Sequence, residues 1–143
     1  MNIKQIIYEE YQKILKEQQE TKKLKIRKVH GNFACTNNNL TSLQGAPKEV
    51  GNYFDCYNNN LTSLQGAPKE VGSGIDCSNN ELTSLQGAPK EVGGGFDCHN
   101  NNLTSLQGAP ETVGNSFVCS NNAIQFTDND IKAVSNVKGK IRV

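Results

Sequence analysis

Apolar positions along this chain recur in lockstep. Phe33, Phe54, Ile75, Phe96 and Phe117 are each followed two residues later by Cys35, Cys56, Cys77, Cys98 and Cys119, and every pair stands 21 residues after the one before. A two-residue apolar period puts both side chains on one face of a short strand. Asn38, Asn59, Asn80, Asn101 and Asn122 follow at a fixed distance, and Leu40, Leu61, Leu82, Leu103 and Ile124 come two residues later. Self-similarity at a period of roughly 20–50 residues marks a solenoid or array. Coils stacked in this register make the strands parallel neighbours, about 4.7–4.9 Å apart. The asparagine column is expected to bond its side-chain amides to the backbone of adjacent turns.

Between strands runs a return leg, and LTSLQGAP occurs four times in it, at 40–47, 61–68, 82–89 and 103–110. Gly66 and Pro68 rule out a long helix there, because proline disfavours the helical conformation for the residue before it. The leg is predicted to be extended or a short 3₁₀ turn, with Leu64, Ala67 and Val71 turned inward.

The ends break the pattern. Ile3, Ile7, Tyr11, Ile14 and Leu15 recur at helical spacing, which predicts a helix over residues 2–20 capping the first coil. Near the other end Thr127 and Asp130 have capping-box spacing, which predicts a short helix over Asp128–Ser135. Val137, Ile141 and Val143 then repeat the spacing of Val113, Phe117 and Cys119 at an offset of 24. A sixth strand is therefore expected, and the set is centred near residues 33–35, 54–56, 75–77, 96–98, 117–119 and 141–143. Three segments follow: a cap and basic connector over 1–28, five repeats over 29–125, and a C-terminal cap over 126–143.

Composition changes this picture little. The 143 residues carry 15 basic and 14 acidic side chains, so net charge nominates neither nucleic acid nor membrane. Apolar content is low at 35%, which still suffices for a solenoid because each coil buries only a narrow inner stripe. Five cysteines without an apolar leader segment suggest a reducing compartment, so a cytoplasmic protein is expected. The cysteine column lacks the close ligand pairs of a zinc site and is read as core packing, with no metal or cofactor expected. The two histidines fall in no catalytic motif. Cys98 and His99 are consecutive in a strand and point to opposite faces, so no enzyme is expected.

Variation between the repeats is more informative. With the Phe position counted as the fourth, the third holds Asn32, Tyr53, Gly74, Gly95 and Ser116. The fifth holds Ala34, Asp55, Asp76, Asp97 and Val118, and the seventh Thr36, Tyr57, Ser78, His99 and Ser120. These positions alternate with the inward ones and are expected to face outward, on the concave side of the solenoid. Tyr53, Asp55, Tyr57, Asp76, Ser78, Asp97 and His99 form the candidate binding face. Tyrosines suit contact hot spots, and a ladder of carboxylates suits a partner with a basic surface. Solvated, duplicated solubility residues would give the same ladder. A second candidate is the basic run Lys22, Lys23, Lys25, Arg27 and Lys28, either a nucleic-acid contact or a charged guard on an edge strand.

The order of inward positions fits the pattern LxxLxLxxNxL. With N-N-x-L-T-S-L, G-A-P-K-E-V-G and F-D-C, residues 29–143 resemble leucine-rich repeat proteins common in tailed bacteriophages and some bacteria, whose repeats read much like LTSLxGAPxxVGGxFxCxxN. The closing stretch from Phe126 to Val143 is similar to the C-terminal cap of that group. N-N-x-L-T-S-L is also similar to repeats of bacterial type III effectors, without their separate catalytic domain. The resemblance implies an α/β leucine-rich repeat solenoid with a short parallel sheet of about six strands. It also implies a phage-type protein in the bacterial host cytosol that binds a host or defence protein. An effector that binds a eukaryotic host protein, and a nucleic-acid binder using residues 22–28, stand as alternatives.

Overall fold

The computed structural model describes residues 27–143. The helix expected over residues 2–20, and Lys22, Lys23 and Lys25 of the basic run, lie outside the described residues. The described chain winds into a solenoid of stacked coils carrying two six-stranded parallel sheets. One sheet stacks Phe33–Ala34, Phe54–Asp55, Ile75–Asp76, Phe96–Asp97, Phe117–Val118 and Ile141–Arg142, and is called the phenylalanine sheet below. The other stacks Lys28–Val29, Glu49–Val50, Glu70–Val71, Glu91–Val92, Thr112–Val113 and Asn136–Val137, and is called the valine sheet.

The phenylalanine sheet has the register that the Phe-x-Cys pattern predicts. Phe54 pairs with Ile75 and Ile75 with Phe96, and the last strand pairs Ile141 with Phe117 in parallel, at the predicted offset. The valine sheet was not foreseen as a sheet. Its strands are the two-residue extended pieces of the return leg, with Leu64, Ala67 and Val71 buried as expected. Each repeat therefore contributes two strands and no helix. The single helix among the described residues is Asp128–Val134, opened by the predicted capping box between Thr127 and Asp130.

Between the sheets lies one apolar core. Phe54, Phe96 and Phe117 are fully enclosed, with Leu61, Leu82, Leu103 and the four valines from Val50 to Val113 beside them. Cys56, Cys77, Cys98 and Cys119 are buried and free, and burial pushes the thiols of Cys56, Cys77 and Cys98 up. Two departures from full burial stand out. The first described coil is only half-buried at Phe33, Cys35 and Leu40. Ile124 is 46% exposed, because after it the chain leaves the repeat for the helix, and Phe126 and Ile131 fill the core instead.

Two columns set the distance between coils. Asn80 donates from Nδ2 to the carbonyls of Cys56, Cys77 and Ser78 at 3.1, 3.2 and 3.1 Å, while its Oδ1 accepts from Leu61 N–H at 3.0 Å. Asn59 and Asn101 repeat the arrangement one coil before and after. Across the core, Gly51, Gly72, Gly93 and Gly114 follow the valines. A Cβ on Gly72, Gly93 or Gly114 would lie 2.1 Å from the carbonyl oxygen of the glycine one coil earlier. No side chain fits at that separation.

Gly93→Ala is therefore expected to lower unfolding free energy by about 1–3 kcal/mol, the usual cost of overpacking. Gly31→Ala, with nothing within 4 Å of its added methyl, should change it little. Denaturant titration of both variants checks this. Asn80→Asp keeps the acceptor but turns the donor into a second acceptor facing three carbonyls, at a cost of about 3 kcal/mol or more. Burial against those carbonyls raises the carboxyl's titration, so part of that loss should return as pH falls toward about 4, the protonated carboxyl donating again.

Candidate functional site

The residues between Phe and Cys project from the outer side of the phenylalanine sheet, and its register brings Asp55, Asp76 and Asp97 onto consecutive rungs. Neighbouring parallel strands put these carboxylate-bearing positions about 4.8 Å apart. All three are half-buried. Tyr53 and Tyr57 flank Asp55 and are 52% and 37% exposed, two of the four large apolar side chains that the described surface leaves open.

The three rungs are not equivalent. Asp76 Oδ1 accepts from the backbone N–H of Ser78 at 3.0 Å and from its hydroxyl at 2.6 Å. Asp97 Oδ1 accepts from the backbone N–H of His99 at 3.1 Å and meets its Nδ1 at 2.6 Å. Asp55 is followed at the same spacing by Tyr57, which makes neither bond to it. Asp55 is pushed above its ordinary value by its own burial first and then by Asp76. Ser78 departs from its expected place on the contact surface: it is 2% exposed, with its hydroxyl folded onto Asp76. It orients a carboxylate and is not open to a partner. The Asp97–His99 pair was also missed, although the i, i+2 spacing on one strand face was visible in the sequence.

A trough of about 260 Å³ runs along this face, with Tyr53 at one end, Ser116 at the other, Gly74 and Gly95 between them, and the aspartates along its side. The Tyr53 ring leans over Gly74, where an added Cβ would lie 3.0 Å from Cε1. A larger groove of about 840 Å³ lies on the opposite side of the solenoid, along the valine sheet. Its floor includes Gly51, Gly72 and Gly93 and its rim carries lysines and glutamates. The repeated Lys-Glu-Val-Gly could have announced this groove. Its charges are partly paired, with Lys28 Nζ 2.9 Å from Glu49 and Lys90 Nζ 2.8 Å from Glu111. Of the basic run only Arg27 and Lys28 are described, and Lys28 belongs to this groove.

Chemistry finds few partners here. His99 is held by Asp97, while Cys98 beside it is buried in the core. Among the described residues no group of three or more His, Cys, Asp or Glu side chains is arranged to hold a metal ion. No described helix is long and apolar enough to cross a membrane. No family model, curated protein or solved structure matches the chain.

The raised pKa of Asp55 fixes the sign of a pH effect. A carboxyl that holds its proton more tightly in the folded state makes stability fall as pH rises through its titration. Asp55→Asn should therefore raise the melting temperature at pH 7. The gain should shrink on acidification and vanish below about pH 3, where both side chains are neutral. Thermal melts of the two proteins across that range check it.

Proposed function

We propose that this chain is a non-enzymatic leucine-rich repeat binding module that engages a protein partner with a basic surface. The contact face is the outer side of the phenylalanine sheet around Tyr53, Asp55, Tyr57, Asp76, Asp97 and His99. One observation carries the reading: substitutions between near-identical repeats gather on the face whose acidic column receives no lysine or arginine ion pair among the described residues. The opposite groove is built from repeated copies whose charges are partly paired. A stacked sheet is also pre-organised, so little ordering opposes association.

The motifs that resemble phage and bacterial leucine-rich repeats support placing the protein in the bacterial cytosol, with a host or defence protein as its partner. An effector role toward a eukaryotic protein would use the same face. Nucleic-acid binding is less favoured, since Lys28 is engaged by Glu49 and an acidic sheet face repels phosphate.

The test is a partner recovered by pull-down from bacterial lysate and titrated against variants. Tyr53→Ala with Tyr57→Ala should weaken binding by about 2 kcal/mol or more if the pair forms a hot spot, with little change in melting temperature. Asp55→Lys with Asp76→Lys should slow association, and added salt should mimic part of that loss. Unchanged binding by all these variants, with loss on changing residues 22–28, would move the function to the basic run.

A further inference from the structure

We propose that the trough beside Tyr53 seats a single arginine side chain of the partner, its guanidinium against the Tyr53 ring and hydrogen-bonded to Asp76 and Asp97. This rests on the phenylalanine-sheet face being the contact surface, and adds to it the chemistry of the contact.

Four features of the trough converge on that occupant. Room comes from Gly74 and Gly95, which carry no side chain on two successive rungs; the Tyr53 ring lies over the first and the second is left open beside Ser116. An aromatic wall comes from Tyr53, half exposed and fixed over Gly74; a cation near a tyrosine ring face is attracted by its quadrupole, and guanidinium also stacks flat on it. Directed acceptors come from Asp76 and Asp97. Each carboxylate has Oδ1 committed to its own strand, through Ser78 and His99, which holds the group in place and leaves Oδ2 free of those bonds. Two such acceptors on adjacent rungs suit a planar fork of N–H donors better than the single point charge of an ammonium. The fourth feature is charge left unanswered by the protein. The rung after Asp97 carries Val118, so Arg142, paired in register with Val118, sits two rungs away and makes no ion pair with the column.

Gly95 provides a clean probe. An added Cβ there meets only Ser116, at 3.4 Å from Oγ and 3.5 Å from O, so the Cβ of Gly95→Leu enters at ordinary contact distance and the side chain is carried into the trough without altering charge. Capped tetra-arginine and tetra-lysine peptides are titrated into the parent protein and into Gly95→Leu, with amide chemical shifts of Gly74 and Gly95 followed in the parent and melting temperatures compared. The proposal expects the arginine peptide to bind the parent at least about fivefold more tightly than the lysine peptide, with both glycine amides shifting. In Gly95→Leu, at unchanged melting temperature, that preference should disappear while weak binding of both peptides persists.

Equal binding of the two peptides to the parent would overturn the arginine seat but leave an acidic contact face standing. A preference that survives Gly95→Leu would place the arginine outside the trough and overturn the proposal. Shifts of the same amides by millimolar calcium or magnesium that displace the arginine peptide would assign the trough to a metal ion instead. Binding of neither peptide would overturn the seat, whereas the contact face itself is judged separately, by the Tyr53 and Tyr57 variants against the recovered partner.

Discussion

Backbone-to-backbone contact between successive coils is the constraint from which the rest of this structure follows. Parallel strands can bond only at a separation near 4.8 Å. On the valine side that distance leaves no room for a side chain at Gly72, Gly93 or Gly114, whose missing Cβ would overlap the carbonyl of the coil beneath. On the opposite side the asparagines bridge the same gap. Each reaches into the preceding coil, as Asn80 does to Cys56 and Asn101 to Cys77, satisfying carbonyls that the tight corner would otherwise bury unpaired. Both devices recur through the middle coils, from Gly51 to Gly114 and from Asn59 to Asn122, and they hold the 21-residue spacing until the C-terminal cap.

The same constraint determines what kind of surface the protein can offer. Stacking in register sets each residue beside its own copy, so an outward column becomes a ladder of one chemical type. For the valine sheet this produces lysines and glutamates that pair along the rim. For the phenylalanine sheet it produces three neighbouring carboxylates. Two unit charges at this separation repel by about 1 kcal/mol in water and by a few kcal/mol at an effective dielectric near 20. The half-buried aspartates lie between those limits, and Asp55, with neither Ser78-like nor His99-like support, is raised by its burial first and by the charge of Asp76 second.

How much of this was legible depended on the length of each signal. The Phe-x-Cys register repeats five times, and it located the phenylalanine sheet down to the pairing of Ile141 with Phe117 across an insertion. The capping box at Thr127 was equally readable, because it needs only two residues at a fixed spacing. The valine sheet escaped because each of its strands is two residues long and is followed in most coils by a glycine, a residue that strand propensity disfavours. What makes those pieces strands is the neighbouring coil, a tertiary effect. The fate of Ser78 was hidden for a related reason: alternation places its Cα on the outer face but does not say that the hydroxyl will turn back onto Asp76. Ile124 kept its place in the pattern and lost its place in the core once the following return leg was replaced by a helix. The proposed contact face showed in the sequence only as a place where copies differ, and the trough required the backbone positions of Gly74 and Gly95.

Duplication alone is a weak account of the acidic column. In the three coils that carry aspartate, the following outward position differs each time, Tyr57, then Ser78, then His99, and the preceding one changes from Tyr53 to Gly74 and Gly95. The residue that repels its neighbours is the one retained, and it stops where the column meets Ala34 on one side and Val118 on the other. A need for solubility would favour charge at the ends of the column as much as in its middle. The three carboxylates instead share their rungs with Tyr53, Gly74 and Gly95, which line the trough on that face together with Ser116. On the proposed reading, a cation seated there would relieve that repulsion, and the cost of holding the aspartates together in the free state would become part of the driving force for association.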